Sequence, residues 1–356
     1  MNGGTAAATG MVTVAIPVLN GGALLAGLLD VLAAQTVAHE LLVCDSGSRD
    51  GSVALARSHG ARVLEIDRRE FSHGGTRNLL MGEARGTHVA LLTQDATPTD
   101  EHWLERLLDG FQLAEDVAIV FGPYRPRIEA SPVVRMELER WFRSLSPDGS
   151  PQIERLAEHE RLLPVAEFNG RRGFFTDANA CIARAAWERV PFRPVPYAED
   201  RVLAIDMLRA GYAKAYLPQA PVWHSHDYTT LQHLGRSFDE WRALGEVYGW
   251  REPATPAYLL GRLRGELGHT RRELIAAGVP AARRRATLAA VSRHHVVRLV
   301  GALLGSRAAK LPAWAQRRLS LDRRVGFTAL ALDELAEAYP PAAVSPPAIS
   351  NQDPTQ

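Results

Sequence analysis

From Val12 to about Val120, short apolar runs alternate with stretches of helical spacing. This is the pattern of strands buried in a mainly parallel sheet with helices between them. Residues 12–16 read as a first strand closed by Pro17, and 41–44, 62–66, 88–92 and 117–121 read as four more. Residues 23–34, 50–58, 76–84 and 100–114 carry apolar positions at helical intervals, with Gly60 stopping the second of these helices. Past Val120 the order breaks: prolines at 123, 126, 132, 147 and 151 surround a helical stretch near 133–145. A second motif-rich block runs over 170–228, and helical spacing then continues to about residue 338. The pattern predicts an α/β nucleotide-binding domain over 12–240 and a helical region over 241–338. A flexible N-terminus over 1–11 and a disordered Pro- and Ala-rich tail over 339–356 complete the expectation.

Composition narrows the class. The chain has 356 residues, 46% hydrophobic and 23% charged, which excludes pervasive disorder, a collagen repeat and a miniature disulfide scaffold. Its net charge of +1 hides an asymmetry. Residues 251–330 hold 16 Arg and Lys against 4 Asp and Glu, a surplus of +12, so the remainder carries −11. Lys214 and Lys310 are the two lysines in an otherwise arginine set. Cys44 and Cys181 make neither a disulfide framework nor a metal knuckle. Residues 1–10 lack the basic and apolar regions of a signal peptide, and no window reaches the ~18 apolar residues of a membrane span. A cytoplasmic protein is therefore expected.

Polar residues gather where the strands end, the face on which such sheets bind ligands. No GxGxxG follows the first strand, which runs Ile16-Pro17-Val18-Leu19-Asn20-Gly21-Gly22, and there is no Walker lysine, so a dinucleotide dehydrogenase is disfavoured. Asp45-Ser46-Gly47-Ser48-Arg49-Asp50-Gly51 suits a capped turn, and it also offers Asp45 to a base or ribose. His73-Gly74-Gly75-Thr76-Arg77-Asn78 opens a helix and reads as an anion site, with glycines leaving room and Arg77 as a phosphate fork. Asp95, after the strand 88–92, is placed to hold a divalent cation. Glu199 and Asp200 before a helix at 201–210 are either dipole-stabilising acids or a general base. In His224-Ser225-His226-Asp227-Tyr228 the paired imidazoles beside an acid favour a ligand, with His224 serving alongside Asp95.

Together these blocks resemble the family 2 inverting glycosyltransferases, whose catalytic domain has the GT-A fold, and more narrowly the bacterial rhamnosyltransferases that use dTDP-L-rhamnose. The similarity covers about residues 12–240 and rests on the motifs in order: the strand to Asn20, DSGSRDG, HGGTRN, LTQDA, AED and HSHDY. It implies that Pro17, Asn20, Asp45, Ser46 and Ser48 hold the nucleoside, and that His73, Gly74 and Arg77 face the diphosphate. Gln94 and Asp95 would lie in the family's DXD loop, whose first acid is replaced here by Thr93. Asp95 and His224 would hold Mg²⁺ or Mn²⁺, and Asp200, with Glu199 beside it, would be the base. The implied acceptor is a glycan or a lipid-linked sugar. A UDP-hexose or UDP-galactofuranose donor stands as the alternative within the class, and a non-catalytic nucleotide-sugar-binding or membrane-scaffold protein as the alternative outside it. For the basic segment 251–330 the readings are an anionic membrane surface at the inner face of the plasma membrane or a solvated face. Nucleic acid is disfavoured, because no helix-turn-helix, zinc finger or aromatic-basic RNA motif is present.

Overall fold

A computed structural model of the chain describes residues 11–168, 170–195 and 197–321. Strands β1 (Val12–Val18), β2 (His39–Asp45), β3 (Arg62–Glu65) and β4 (His88–Leu92) alternate with helices α1 (Gly22–Ala33), α2 (Ser52–Ser58) and α3 (His73–Glu83). Next come β5 (Thr97–Pro98), α4 (Trp103–Asp109), β6 (Val117–Phe121), β7 (Tyr124–Arg125), α5 (Pro132–Leu145) and β8 (Gln152–Glu154). They are followed by α6 (Gly170–Gly173), β9 (Asn179–Ala183), α7 (Arg184–Trp187), α8 (Glu199–Arg209), β10 (Ala213–Tyr216) and β11 (Val222–Trp223). The C-terminal part of the described chain is helical: α9 (Thr230–Tyr248), α10 (Pro256–Ala276), α11 (Ala281–Gly305) and α12 (Ala313–Leu319).

The main sheet has the order β3-β2-β1-β4-β9-β6-β10-β8. β1 pairs in parallel with β2 and β4, and β6 with β10, whereas β9 enters antiparallel between β4 and β6. Strand residues alternate between the two faces. Val14 and Ile16 of β1 pack with Leu25 and Leu28 of α1 on one side, while Ala15 packs with Leu80 of α3 and Leu203 of α8 on the other. A small second sheet, β5-β11-β7, stands at the end of the main one.

Several element ends differ from the sequence pattern for local reasons. Asp50 accepts from Ser52 N and Gly22 N, so it stands outside α2, which starts at Ser52. The helix expected from Asp100 begins at Trp103, because Asp100 accepts from His102 N and binds Arg106. α8 starts at Glu199, so Glu199 and Asp200 belong to its first turn. Residue 240, the expected domain boundary, lies inside α9. Leu244 and Val247 of that helix join Val202 and Ile205 of α8 in one cluster. α9 also meets α11 closely, since a Cβ on Gly301 would lie 2.7 Å from Leu234 O. The expected tail and all of the N-terminal segment except Met11 fall outside the described residues.

Asn179 joins the two sheets. Its buried side chain donates to Pro123 O and Ala220 O, at 3.2 and 2.9 Å, and accepts from Trp103 Nε1 at 2.8 Å. Asn179→Ala leaves three buried partners unmatched and should cost on the order of 3 kcal/mol in urea unfolding. A loss below about 1 kcal/mol would contradict this role.

Candidate active site

The loops after β1, β2 and β4 are laced to one another. Asn20 takes a left-handed turn (φ 50°); its N–H donates to Ser48 Oγ at 2.7 Å and its side chain accepts from Arg49 N at 2.9 Å. Ser46 bonds to Val18 O through both its N–H and its hydroxyl. Gln94, expected to touch the nucleotide, instead accepts from Leu19 N at 2.7 Å and donates to Leu19 O at 3.1 Å, so its amide is committed to the β1 loop. Pro17 sits half-buried near the end of β1. Asp45 is different: one oxygen accepts from Gly47 N and Ser48 N, while the other is buried with no protein partner. Such an acceptor suits an N–H or O–H of a ligand.

The HGGTRN segment does not form the expected phosphate cradle. Ser72 caps α3 by accepting from Gly75 N at 3.2 Å. The space beside Gly74 is filled by protein, since a Cβ there would lie 2.7 Å from Arg193 O and 3.6 Å from Glu199 Cβ. Arg77 is 4% exposed, and its fork is occupied. It donates to Asp177 Oδ1 at 2.7 Å, pairs with Asp177 Oδ2 through Nε, and lies 3.1 Å from Glu199 Oε1. His73 Nδ1 stands 3.8 Å from the same Glu199 oxygen. Asn78 donates to Phe192 O and accepts from Phe192 N and Trp187 Nε1. The motif thus clasps the segment that carries Glu199 and Asp200.

The acids around Arg77 outnumber it. Burial pushes the Asp200 carboxyl up to about 7, with Asp177 adding like-charge repulsion. Asp177 is likewise pushed up to about 7 by burial, against the pull of Arg77. Glu199 is raised for the same reason. Ala198, just before them, is held at φ 61°, a conformation costing a non-glycine residue about 1–2 kcal/mol. It turns the chain so that both acids enter the first turn of α8.

On the other side of Tyr124 lies a carboxylate–imidazole set. β5 and β11 pair Pro98 with Val222 and Thr97 with Trp223, which brings Asp95 beside His224 across 129 residues. Asp95 Oδ1 is 3.6 Å from His224 Nδ1, and Oδ2 is 3.4 Å from His226 Nε2. One donor atom from each residue lies within 4.8 Å of the others. Burial pushes His224 down to about 4, which keeps its ring neutral with a lone pair available. Two neutral imidazoles and a carboxylate fit a divalent transition metal. Tyr124 stacks edge-on against His224, and its hydroxyl bonds to that of Thr176. The charges of Asp200, Asp177 and Asp95 all act on the buried Tyr124 hydroxyl, so the acids and the imidazole set both lie near this one tyrosine.

Comparison with known proteins fits this architecture. The model of the family Glycosyl transferase family 2 matches residues 13–172. The O-antigen chain rhamnosyltransferase RfbN of Salmonella typhimurium is 32% identical over 233 residues, covering 64% of this chain and 70% of that protein. The chain belongs to glycosyltransferase family 2. The O-antigen chain rhamnosyltransferase WbaN of Salmonella anatum is 31% identical over 203 residues, 56% of this chain and 61% of that one. Among solved structures, the mannosyltransferase PcManGT of Pyrobaculum calidifontis, in complex with GDP-Man and Mn²⁺, aligns with a TM-score of 0.53 at 20% identity. The alignment covers 85% of this chain and 87% of that one, a likeness of fold.

For this glycosyltransferase the sequence pattern had pointed to Asp95, His224, Glu199 and Asp200 but missed two partners. His226 was visible as the second imidazole of HSHDY, but only its return to Asp95 makes it a ligand candidate. Asp177 carries no motif signal, and its contact with Arg77 spans 100 residues. Arg77→Gln should cost about 3–5 kcal/mol near pH 7.5, because it leaves buried carboxylates uncompensated. The sign follows from linkage: losing Arg77 raises the carboxyl pKa values further, which costs stability as pH rises and relaxes as the acids protonate. The deficit in denaturant unfolding should therefore shrink toward pH 5, and a deficit independent of pH would refute the ionic role.

Proposed function

We propose that the chain is an inverting, divalent-metal-dependent rhamnosyltransferase of cell-surface polysaccharide synthesis. It moves L-rhamnose from dTDP-β-L-rhamnose to a hydroxyl of a glycan or lipid-linked acceptor. The observation that carries this reading is the coexistence of a carboxylate pushed up to about 7, Asp200, and a metal-competent set, Asp95, His224 and His226, with Asp200 and Asp95 both acting on the same buried Tyr124. The relatives named as O-antigen rhamnosyltransferases supply the sugar and the pathway class.

In this reading Asp200 accepts the proton of the acceptor hydroxyl as its oxygen attacks the anomeric carbon from the face opposite the diphosphate. The bond from that carbon to the diphosphate oxygen breaks with its electron pair leaving on the diphosphate, so a β-linked donor gives an α-L-rhamnoside. Mn²⁺ or Mg²⁺ on Asp95, His224 and His226 would neutralise the leaving diphosphate, and the two imidazoles favour Mn²⁺. Arg127, which donates to Asp95 O at 2.6 Å, and Arg236, whose charge reaches His226, replace Arg77 as the cations beside that group. Glu199 positions Asp200 through Arg77, and the free oxygen of Asp45 takes a base or ribose donor.

Asp200→Asn should abolish transfer while dTDP-rhamnose with Mn²⁺ still raises the melting temperature; full activity in that variant would sink the assignment. The parent should be stabilised more by dTDP-rhamnose than by UDP-hexoses, and the reverse order would move the donor to the UDP class. Because Asp200 must be ionised to take a proton, transfer should climb with pH through about 7. A plateau already reached at pH 5 would exclude this group as the base.

The basic helices fit a membrane surface. No helix among the described residues is long and apolar enough to cross a membrane. Within α10 and α11, Glu266 and Glu273 are paired with Arg140, while Arg283 and Arg285 are exposed. Trp314 of α12 is 65% exposed beside exposed Arg317 and Arg318. Cations flanking an aromatic residue suit an anionic lipid interface. Replacing Arg283, Arg284 and Arg285 by Ser should release the protein from phosphatidylglycerol vesicles, whereas equal binding to neutral phosphatidylcholine vesicles by the parent would argue against it.

A further inference from the structure

A cavity of about 370 Å³ opens between the start of α5, the loop 227–230 and one face of α11. That size lies within the ~300–1,000 Å³ of small-molecule clefts. Its near wall adjoins the carboxylate–imidazole set, since the Tyr228 ring stacks on His226 with centroids 5.3 Å apart and planes 13° from parallel. Asp227, next to it, accepts from Ser131 N through one carboxylate oxygen, and His233 lines the cavity edge-on to His294 at 4.4 Å. The far wall is α11, which presents Ala286 and Ala290 one turn apart and then Arg293.

Three features define what fits there. An aromatic ring beside small aliphatic groups matches the C–H face of a pyranose. A carboxylate, an imidazole and a guanidinium at its edges match ring hydroxyls, which both donate and accept. Arg293 is the one guanidinium in the lining and Asp227 stands there as well, so the cavity lacks the cluster of arginines that holds a diphosphate. Position adds a fourth argument: through the Tyr228–His226 stack, a sugar in this cavity lies beside the carboxylate–imidazole set.

We infer that this cavity is the acceptor subsite and takes a neutral hexopyranose unit of the acceptor glycan, with Tyr228 as its platform and α11 as its outer wall. The inference rests on the glycosyltransferase reading of the site above. It gives α11, outside the span of the family match, a part in acceptor choice.

The test uses the full chain without donor. The methyl α-glycosides of rhamnose, mannose, galactose and glucose serve as probes, followed by saturation-transfer NMR and titrated for affinity. The parent should bind at least one of them. Ala290→Trp, which fills the cavity, should weaken that binding by roughly tenfold or more with the melting temperature unchanged. Arg293→Gln, at an exposed position, should weaken it by roughly three- to tenfold, and it decides the matter if Ala290→Trp lowers the melting temperature. Absence of binding for all four probes in the parent, or binding that survives both substitutions, overturns the inference. Failure of the donor reading is separate, because it shows as no response of the parent to dTDP-rhamnose with Mn²⁺, whatever the hexosides do.

Discussion

One buried guanidinium governs the geometry of the acid side of the site. Arg77 rises from the first turns of α3 into a space where Asp177, just before β9, and Glu199, at the start of α8, both bind it. A single cation faces two carboxylates in contact and a third, Asp200, nearby. Out of water such an excess of negative charge is not sustained fully ionised, so the acids hold their protons to higher pH than they would in solution. The same arrangement fixes three elements against one another, and Gly74 and Asn78 permit and lock the approach. Burial and the Asp177 charge raise Asp200 against the pull of Arg201 and Arg77, so Arg77 contributes the position of the acid segment and burial the protonation of Asp200.

The opposite side of the site depends on sheet register. β5 and β11 have two residues each, yet their pairing sets Asp95 next to His224, and Tyr124 from β7 braces the pair. Thr176, which bonds to Tyr124, is the neighbour in sequence of Asp177. The acid cluster and the imidazole set are therefore joined by one short path, Asp177 to Thr176 to Tyr124 to His224.

Much of this was legible in the chain. The alternation of apolar runs and helical spacing located β1 to β4, β6 and the helices between them, because each is driven by its own local pattern. The antiparallel insertion of β9 was not legible, since a buried run such as Asn179-Ala180-Cys181-Ile182-Ala183 says nothing of its direction or neighbours. The site divides in the same way. Asp95, Glu199 and Asp200 follow strand or helix ends, so their place in the fold could be read from the pattern. The role of Arg77 was misassigned because a helix start rich in glycine has the same sequence whether an anion or a packed carboxylate fills the space before it. Gln94 was misplaced for a similar reason, as its partner is a backbone amide 75 residues away.

The charged residues of 251–330 resolve into two populations with different physics. Arg298 pairs with Glu137 of α5, and Arg140 of α5 pairs with Glu266 and Glu273 of α10, so one set of charges fastens the C-terminal helices to the sheet domain. These pairs are partly screened from water, and their worth lies in setting which face of α11 turns inward. With that face fixed, Arg284 and Arg285 turn away from the cavity wall, while the exposed Arg293 stands at its edge. An inward face that walls a sugar-sized cavity and an outward face that is basic are thus two results of one docking geometry. If both serve as argued, the helices set how far the reacting hydroxyl of a lipid-linked acceptor lies from the bilayer.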